Sequence, residues 1–336
     1  MDLMENLQLK YPIVQAPMAG VTTPEMVAAS SNGGILGSIG AGYLNAEVTR
    51  AFIQAVKEKT DKPFAVNLFI PNFVETTTEE LEEAYNVLKP YRKKLMIAEE
   101  GAPLSATDFD GQIDVIIEEG VKVCSFTFGV PSENLLDRLK QHGIYTIGTA
   151  TTIKEALYIQ ELGMDAVVLQ GEEAGGHRGS FIEPIEFIPL KQLLKEAQEV
   201  IHIPKIAAGG IATKAQMEEV LSLGAQAAQI GTAFIVSEES GAASIYKKQI
   251  LLADEDNTAY TKAFSGKYAR GIENDFMVFM EGNTIAPYPY QNDLTKNIRL
   301  RATELDMYSL MAMWAGTSLH LANEGTVQDI IDRLTK

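Results

Sequence analysis

The stretch Gln170-Gly-Glu-Glu-Ala-Gly-Gly-His-Arg-Gly179 gathers the residues best suited to chemistry. Gly175, Gly176 and Gly179 surround His177, directly after the apolar run Met164–Leu169. A glycine-rich loop at the carboxyl end of a buried strand lets backbone approach a ligand closely. An imidazole there is the natural proton-transfer group near neutral pH. A solvated loop whose glycines only turn the chain is the plainer alternative for this stretch taken alone. Other strand ends add to the picture. In Gln15-Ala16-Pro17-Met18-Ala19-Gly20, Pro17 lacks an N–H and Gly20 permits a sharp turn, which exposes backbone polar groups to a flat ligand. Asn67 ends another apolar run with an amide that both donates and accepts. Ala207-Ala-Gly209-Gly210-Ile211 and Gln229-Ile230-Gly231-Thr232 are small-residue loops of the kind that cradle a phosphate through backbone N–H groups.

The same inventory excludes other chemistries. His142, His177, His202 and His320 are far apart, with no His-Glu-x-x-His and no cysteine pair, so no metal is expected. His142 and His202 fall at helix-to-strand junctions, and His320 falls in an apolar C-terminal segment where it reads as packed. Ser180 lacks a Gly-x-Ser-x-Gly setting, and no Walker loop or Gly-x-Gly-x-x-Gly follows a strand, so neither a serine hydrolase nor a dinucleotide site is indicated. The lone Cys124 sits in the apolar run Val121–Phe126 and reads as a buried, inert thiol in a reducing cytoplasm. A net charge of −17, from 45 acidic and 28 basic residues, disfavours nucleic acid and anionic membranes as partners. The N-terminus lacks the pattern of a secretory leader, and no apolar run reaches the roughly 18 residues of a membrane span. A cytoplasmic protein is expected, with its oligomeric state, homo-oligomer included, left open.

The elements that must position these residues follow from hydrophobic periodicity. Short apolar runs occupy residues 12–16, 34–38, 64–68, 121–126, 143–147, 164–169, 205–208 and 226–230. Helical patterns separate them at 24–31, 46–59, 112–119, 132–141, 153–162, 190–199 and 214–223. Thr22, Thr23, Asn45, Ser132 and Thr213 are candidate N-caps, and Gly143, Gly163 and Gly224 are candidate helix stops. Repeated βα units over about 235 residues are the size of one (β/α)8 TIM barrel, with a doubly wound sheet as the rival. The third unit is oversized and carries a helical excursion at about 70–111, including the stretch Pro103 to Asp110. Residues 1–235 are therefore assigned to the barrel. Residues 236–336 are assigned to a smaller cap or substrate-binding region, with an apolar helix from Leu305 to Asn323. The last helix is expected to pack back on the barrel.

Gln15 to Met18, Asn67, Gln170 to Gly179, Ala208 to Ile211 and Gln229 to Thr232 together resemble nitronate monooxygenase, formerly called 2-nitropropane dioxygenase. Ala269-Arg-Gly-Ile-Glu-Asn274, Pro287-Tyr-Pro-Tyr-Gln291 and Leu310 to Gly316 with Trp314 extend the resemblance over nearly the whole chain. It implies an FMN-containing barrel that oxidises alkyl nitronates, such as propionate 3-nitronate, with O2. It further implies FMN contacts from Asn67, Gln170, Gly175, Gly210 and Gln229 to Thr232, with Ala16, Pro17, Met18, Gly176 and Gly209 as neighbouring backbone. His177 is then the catalytic base for neutral nitroalkanes. For nitronates, a protonated His177 or Arg178 would hold the anion, although Arg178 paired to Glu172 or Glu173 is an equal alternative. Tyr288 and Lys296 resemble family residues of the substrate cavity. An FMN-dependent NAD(P)H-using reductase of enoyl-acyl-carrier-protein or quinone is the runner-up. A flavin-binding protein without turnover and a non-flavin barrel acting on a sugar phosphate stand behind it.

Overall fold

A computed structural model describes residues 3–72, 74–98, 108–255 and 257–336. The short apolar runs become parallel strands because each is buried on both faces. They are β1 (Ile13–Gln15), β2 (Gly37–Gly40), β3 (Phe64–Phe69), β4 (Val123–Thr127), β5 (Tyr145–Ala150) and β6 (Ala166–Gln170). After a two-residue β7 (Gly176–His177) come β8 (Lys205–Ala208) and β9 (Ala227–Ile230), the seventh and eighth barrel strands. The sheet order β1-β9-β8-β6-β5-β4-β3-β2 is that of a barrel. Leu36, just ahead of β2, bridges Val14 and closes the ring. The strand β2 itself begins later than expected, at Gly37, while the expected run 34–38 supplies this closing bridge.

The helices in order are α1 (Leu3–Asn6), α2 (Pro24–Asn32), α3 (Ala46–Lys57), α4 (Thr78–Lys94), α5 (Phe109–Glu118), α6 (Glu133–Gln141) and α7 (Ile153–Glu161). They continue with α8 (Leu190–Ala197), α9 (Lys214–Ser222), α10 (Thr232–Ile235), α11 (Ser244–Leu252), α12 (Asp275–Met280), α13 (Tyr290–Glu304) and α14 (Val327–Thr335). Side chains of Thr23, Asn45, Ser132 and Thr213 cap α2, α3, α6 and α9. Thr22 caps nothing; its Oγ1 instead accepts the Met18 N–H at 3.0 Å and pins the loop after β1. The excursion in the third unit contains α4, opened by a Thr77/Glu80 capping box, before the barrel helix α5. Residues 73 and 99–107 of the expected excursion lie outside the described residues.

Strand alternation divides the core in two. Val14, Ala65, Val123, Ile147, Ala166, Val168, Ile206, Ala208 and Ala227 fill the barrel interior, with Leu3 and Leu7 packed among them. The residues between them, such as Val66, Cys124 and Val167, face the surrounding helices. Cys124 is fully buried, and burial pushes its thiol well above the ordinary range. Along each strand the same parity carries Asn67, Ser125, Thr127, Thr149, Gln170 and Gln229 onto the inward face at the carboxyl ends.

The C-terminal third adds β10 (Thr258–Thr261) and β11 (Ala269–Ile272), which form a small antiparallel sheet with β7. The helix expected from Leu305 to Asn323 does not form. That stretch runs through two 3-10 turns, Tyr308–Leu310 and Leu319–Leu321, with an extended strap between them. Trp314 in the strap bridges Gly271, and Met313 accepts the Ile272 N–H at 2.9 Å. Burial alternates along Met311–Ala315, with Met311, Met313 and Ala315 buried and Ala312 and Trp314 half-buried, the period of an extended segment. His320, expected to be packed, is exposed on the second turn. The helix α14 places Val327, Ile330, Ile331 and Leu334 in the same apolar layer as Met26, Val27, Met217 and Val220 of α2 and α9.

Candidate active site

His177 stands over the carboxyl ends of the barrel strands because two unrelated devices hold its backbone. From the barrel side, Gln170 Nε2 donates to the His177 carbonyl at 3.0 Å, and Gln170 Oε1 accepts the Gly179 N–H at 2.8 Å. From the C-terminal side, His177 pairs with Ala269 of β11. Its Nε2 then meets Ser265 Oγ at 2.8 Å. Ser265 Oγ also accepts the Lys267 N–H and reaches the Lys267 carbonyl, each at 3.3 Å. The arrangement in which Nε2–H donates to Ser265 and Ser265 donates onward satisfies every partner in this chain. It leaves Nδ1 as the imidazole's unprotonated nitrogen.

The imidazole lines an aromatic recess. Phe128 stands edge-on at 5.7 Å between ring centroids, Trp314 lies at 5.4 Å, and Phe69 and Tyr43 lie at 6.3 and 6.4 Å. Phe128 is buried with φ +71, a left-handed conformation that costs a bulky residue about 1–3 kcal/mol and is kept where the surroundings demand it. Tyr288 packs on Phe128 at 5.4 Å, and its hydroxyl interacts with that of Tyr43. Desolvation is the main cause that lowers the His177 pKa to about 3, with the positive charges of Arg299 and Lys267 adding to it. The lowered pKa favours the neutral imidazole over the protonated, anion-holding form. Desolvation of its hydroxyl also pushes Tyr43 up to about 12, although the residue as a whole is 40% exposed.

Beside the recess lie the expected phosphate loops. Among the described residues, the N–H groups of Gly209, Gly210, Gly231 and Thr232 donate to no protein acceptor. Gly210 holds φ +63, which keeps its backbone in a conformation unfavourable for other residues. A Cβ on Gly231 would lie 3.4 Å from that of Ala16 and 3.7 Å from Met18 Sδ, so the loops after β1 and β9 meet there. The Ala16 N–H donates to the Ile230 carbonyl at 2.9 Å. Unpaired backbone donors at half-buried small residues fit a phosphate, and the inward amides of Asn67 and Gln229 fit a polar ring edge. Asn67 Nδ2 is steadied by Ser125 Oγ at 3.0 Å and Thr127 Oγ1 at 3.2 Å. Gly176 faces open space, whereas a Cβ on Gly175 would come within 2.5 Å of Ala315 C and Gly316 N. Gly175 thus admits the C-terminal strap. The strap in turn ties to the phosphate loops: Gly316 N–H donates to Thr232 Oγ1 at 3.0 Å and Ser318 Oγ to the Gly210 carbonyl at 2.7 Å.

Two expected substrate residues are placed elsewhere. Arg178 is buried, and its guanidinium donates to the carbonyls of Gln170, Thr151 and Glu186 and packs on Phe187. It forms no ion pair with Glu172 or Glu173 among the described contacts, and it anchors the loop. Lys296 is exposed on α13, whereas Arg299, one turn on, lies close enough to Tyr43 to interact with it electrostatically. Ser265, Lys267 and Arg299 carried no sequence signal, since each stands outside any recognisable spacing.

Donor-rich loops beside a neutral imidazole, at the carboxyl ends of barrel strands, define the class as a barrel enzyme acting on a small molecule. A profile of the nitronate monooxygenase family matches residues 2–336, and the chain belongs to this family of oxidoreductases. A probable nitronate monooxygenase of Staphylococcus aureus (strain MSSA476) is 43% identical over 339 residues, spanning 99% of this chain and 95% of its own. The structure of nitroalkane oxidase from Streptomyces ansochromogenes is similar with a TM-score of 0.93 and 35% identity, covering 99% of this chain and 96% of that one. FabK from Thermotoga maritima follows with a TM-score of 0.78 and 29% identity, covering 99% and 94%. No helix among the described residues is long and apolar enough to cross a membrane, and no cluster of metal-ligating side chains occurs among them.

Proposed function

We propose that the protein binds FMN and oxidises alkyl nitronates, such as propionate 3-nitronate, with O2 to a carbonyl compound and nitrite. The observation that carries this reading is a neutral, desolvated His177 in an aromatic recess beside loops with free backbone donors. FMN, when bound, supplies the two-electron oxidation and the reaction with oxygen. Gly209, Gly210, Gly231 and Thr232 would hold its phosphate. Ala16 to Met18, Asn67, Gln170, Gly175, Gly176, Gln229 and Ile230 would border the rest. His177 takes the α-proton of a neutral nitroalkane, with the nitrogen turned away from Ser265 as the acceptor. A nitronate has already lost that proton and needs only to be held and kept from bulk water. The rings of Phe69, Phe128, Tyr288 and Trp314 provide that apolar enclosure. The second reading, an FMN-dependent NAD(P)H-using reductase, draws on the likeness to FabK. The absorption spectrum of the purified protein tests the proposal. Twin visible flavin bands, released as FMN on denaturation and bleached anaerobically by a nitronate, are expected; a colourless protein that takes up no FMN would sink it.

A further inference from the structure

The turn between β10 and β11 presents a cation that the mechanism above leaves unused. Lys267 Nζ lies 4.6 Å from the ring centroid of Phe128 and 5.7 Å from that of Tyr288, two walls of the recess. Among the described residues it makes no ion pair and no hydrogen bond through Nζ. Its backbone is bound to Ser265, the residue that holds His177 Nε2, so the turn fixes the ammonium and the imidazole relative to each other. The other nearby cations are committed. Arg299 gives Nε to Thr295 and Nη2 to Asn292, and Arg178 is spent on backbone carbonyls. Lys262 lies 4.3 Å over Tyr268, outside the recess rings, and Lys296 is exposed.

We propose that Lys267 is a substrate-binding residue whose ammonium takes the anionic oxygens of the substrate inside the aromatic recess, beside His177. This rests on the proposed oxidation of nitronates only for the identity of the anion. A desolvated cation without a counter-ion is costly to keep, and an anion in the same enclosure relieves that cost. Desolvation foremost lowers the Lys267 pKa, with Lys262 adding to it and Glu183 and Glu155 opposing it. Glu155 does not compete as a partner, because its oxygens accept from Thr151, Phe181 and Ile182. Glu183 is exposed and accepts the Ile185 N–H. Around His177 the charged or titratable groups are Lys267, Arg299, Tyr43 and Tyr288 by way of Tyr43, with Ser265 as its hydrogen-bond partner. An anion seated on Lys267 cancels one of the two charges that oppose protonation of His177. By reciprocity, anion binding and proton affinity at the imidazole are coupled.

The test compares wild type, Lys267→Met and Lys267→Arg, with inorganic nitrite as the probe and ring-labelled histidine followed by NMR. The chain has 4 histidines, the other three exposed, and far-UV circular dichroism reports that each variant is folded. Nitrite should shift the His177 ring signal in wild type. Lys267→Met should weaken nitrite binding about 10–100-fold, the range of a lost charge-assisted hydrogen bond, while Lys267→Arg keeps most of it. In Lys267→Met without nitrite, His177 should also take a proton at higher pH than in wild type. With nitronate as substrate, KM should rise by a similar factor in Lys267→Met with little change in kcat, whereas neutral nitroalkane KM moves little. Unchanged nitrite affinity and unchanged His177 titration in a folded Lys267→Met would overturn the assignment. Failure of the wild type to oxidise nitronates would instead remove the proposed function and leave the nitrite result standing.

Discussion

A neutral imidazole can accept a proton but cannot attract an anion, and that limits what His177 does. Replacing it should separate two substrate forms. His177→Asn is expected to slow oxidation of neutral nitroalkanes about 10²–10⁴-fold, the usual worth of general-base catalysis, and to spare preformed nitronates. Steady-state kinetics on both forms decides; equal losses would withdraw the proton-abstraction step. Stability carries an independent signature. The folded-state pKa of about 3 lies below the ordinary 6.5, so the unfolded chain takes up this proton first as pH falls. The contribution is complete above about 6.5 and is lost toward pH 3, at up to roughly 1.4 kcal/mol per pH unit. The pH dependence of stability, followed by denaturant unfolding between pH 6.5 and 5, should be shallower in His177→Asn, and an identical dependence would contradict the lowered pKa of His177. The sequence singled out His177 because glycines crowd around it. It could not reveal the charge state, which depends on Lys267 and Arg299 arriving from elements about 90 and 120 residues away.

At the scale of elements, the barrel strands were legible because buried parallel strands are short apolar runs bounded by turn residues, and their parity carries the inward polar tips. The pairing of β7 with β11 was not legible. It joins two residues to a partner far along the chain, and no local pattern encodes such a contact. The helix expected from Leu305 to Asn323 does not form, since its apolar residues are used in a strap paired to β11 through Met313 and Trp314, a distant contact that no local pattern encodes. The phosphate loops were read from small residues alone, and the structure adds their free N–H groups. Gly231→Asp is the cleaner test of them, since Gly231 has φ −113 and an added Cβ meets only an ordinary contact at 3.4 Å. The added carboxylate should repel a phosphate and yield folded protein with little flavin. Gly210→Asp should do the same but adds strain at φ +63 and a Cβ contact of 3.0 Å with Glu173. Full flavin content in both purified variants would refute the phosphate assignment.

Taken as a whole, the molecule offers, among its described residues, unpaired backbone donors at Gly209, Gly210, Gly231 and Thr232 that suit one phosphate. Its net charge of −17 repels polyphosphates at long range. The arginines nearest the His177 loop are turned inward: Arg178 binds backbone carbonyls, and Arg270 donates to the Glu172 carbonyl at 2.9 Å and packs on Tyr260. The strap between Trp314 and Ser318 is tied to the loops after β6, β8 and β9. NADH and NADPH should therefore fail to reduce the bound flavin at a catalytically useful rate. Anaerobic stopped-flow mixing separates the two cases. Slow or absent bleaching by NADH, with rapid bleaching by a nitronate on the same preparation, is the expected result. Rapid bleaching by NADH would overturn that expectation, and the reductase reading would replace the oxidation of nitronates.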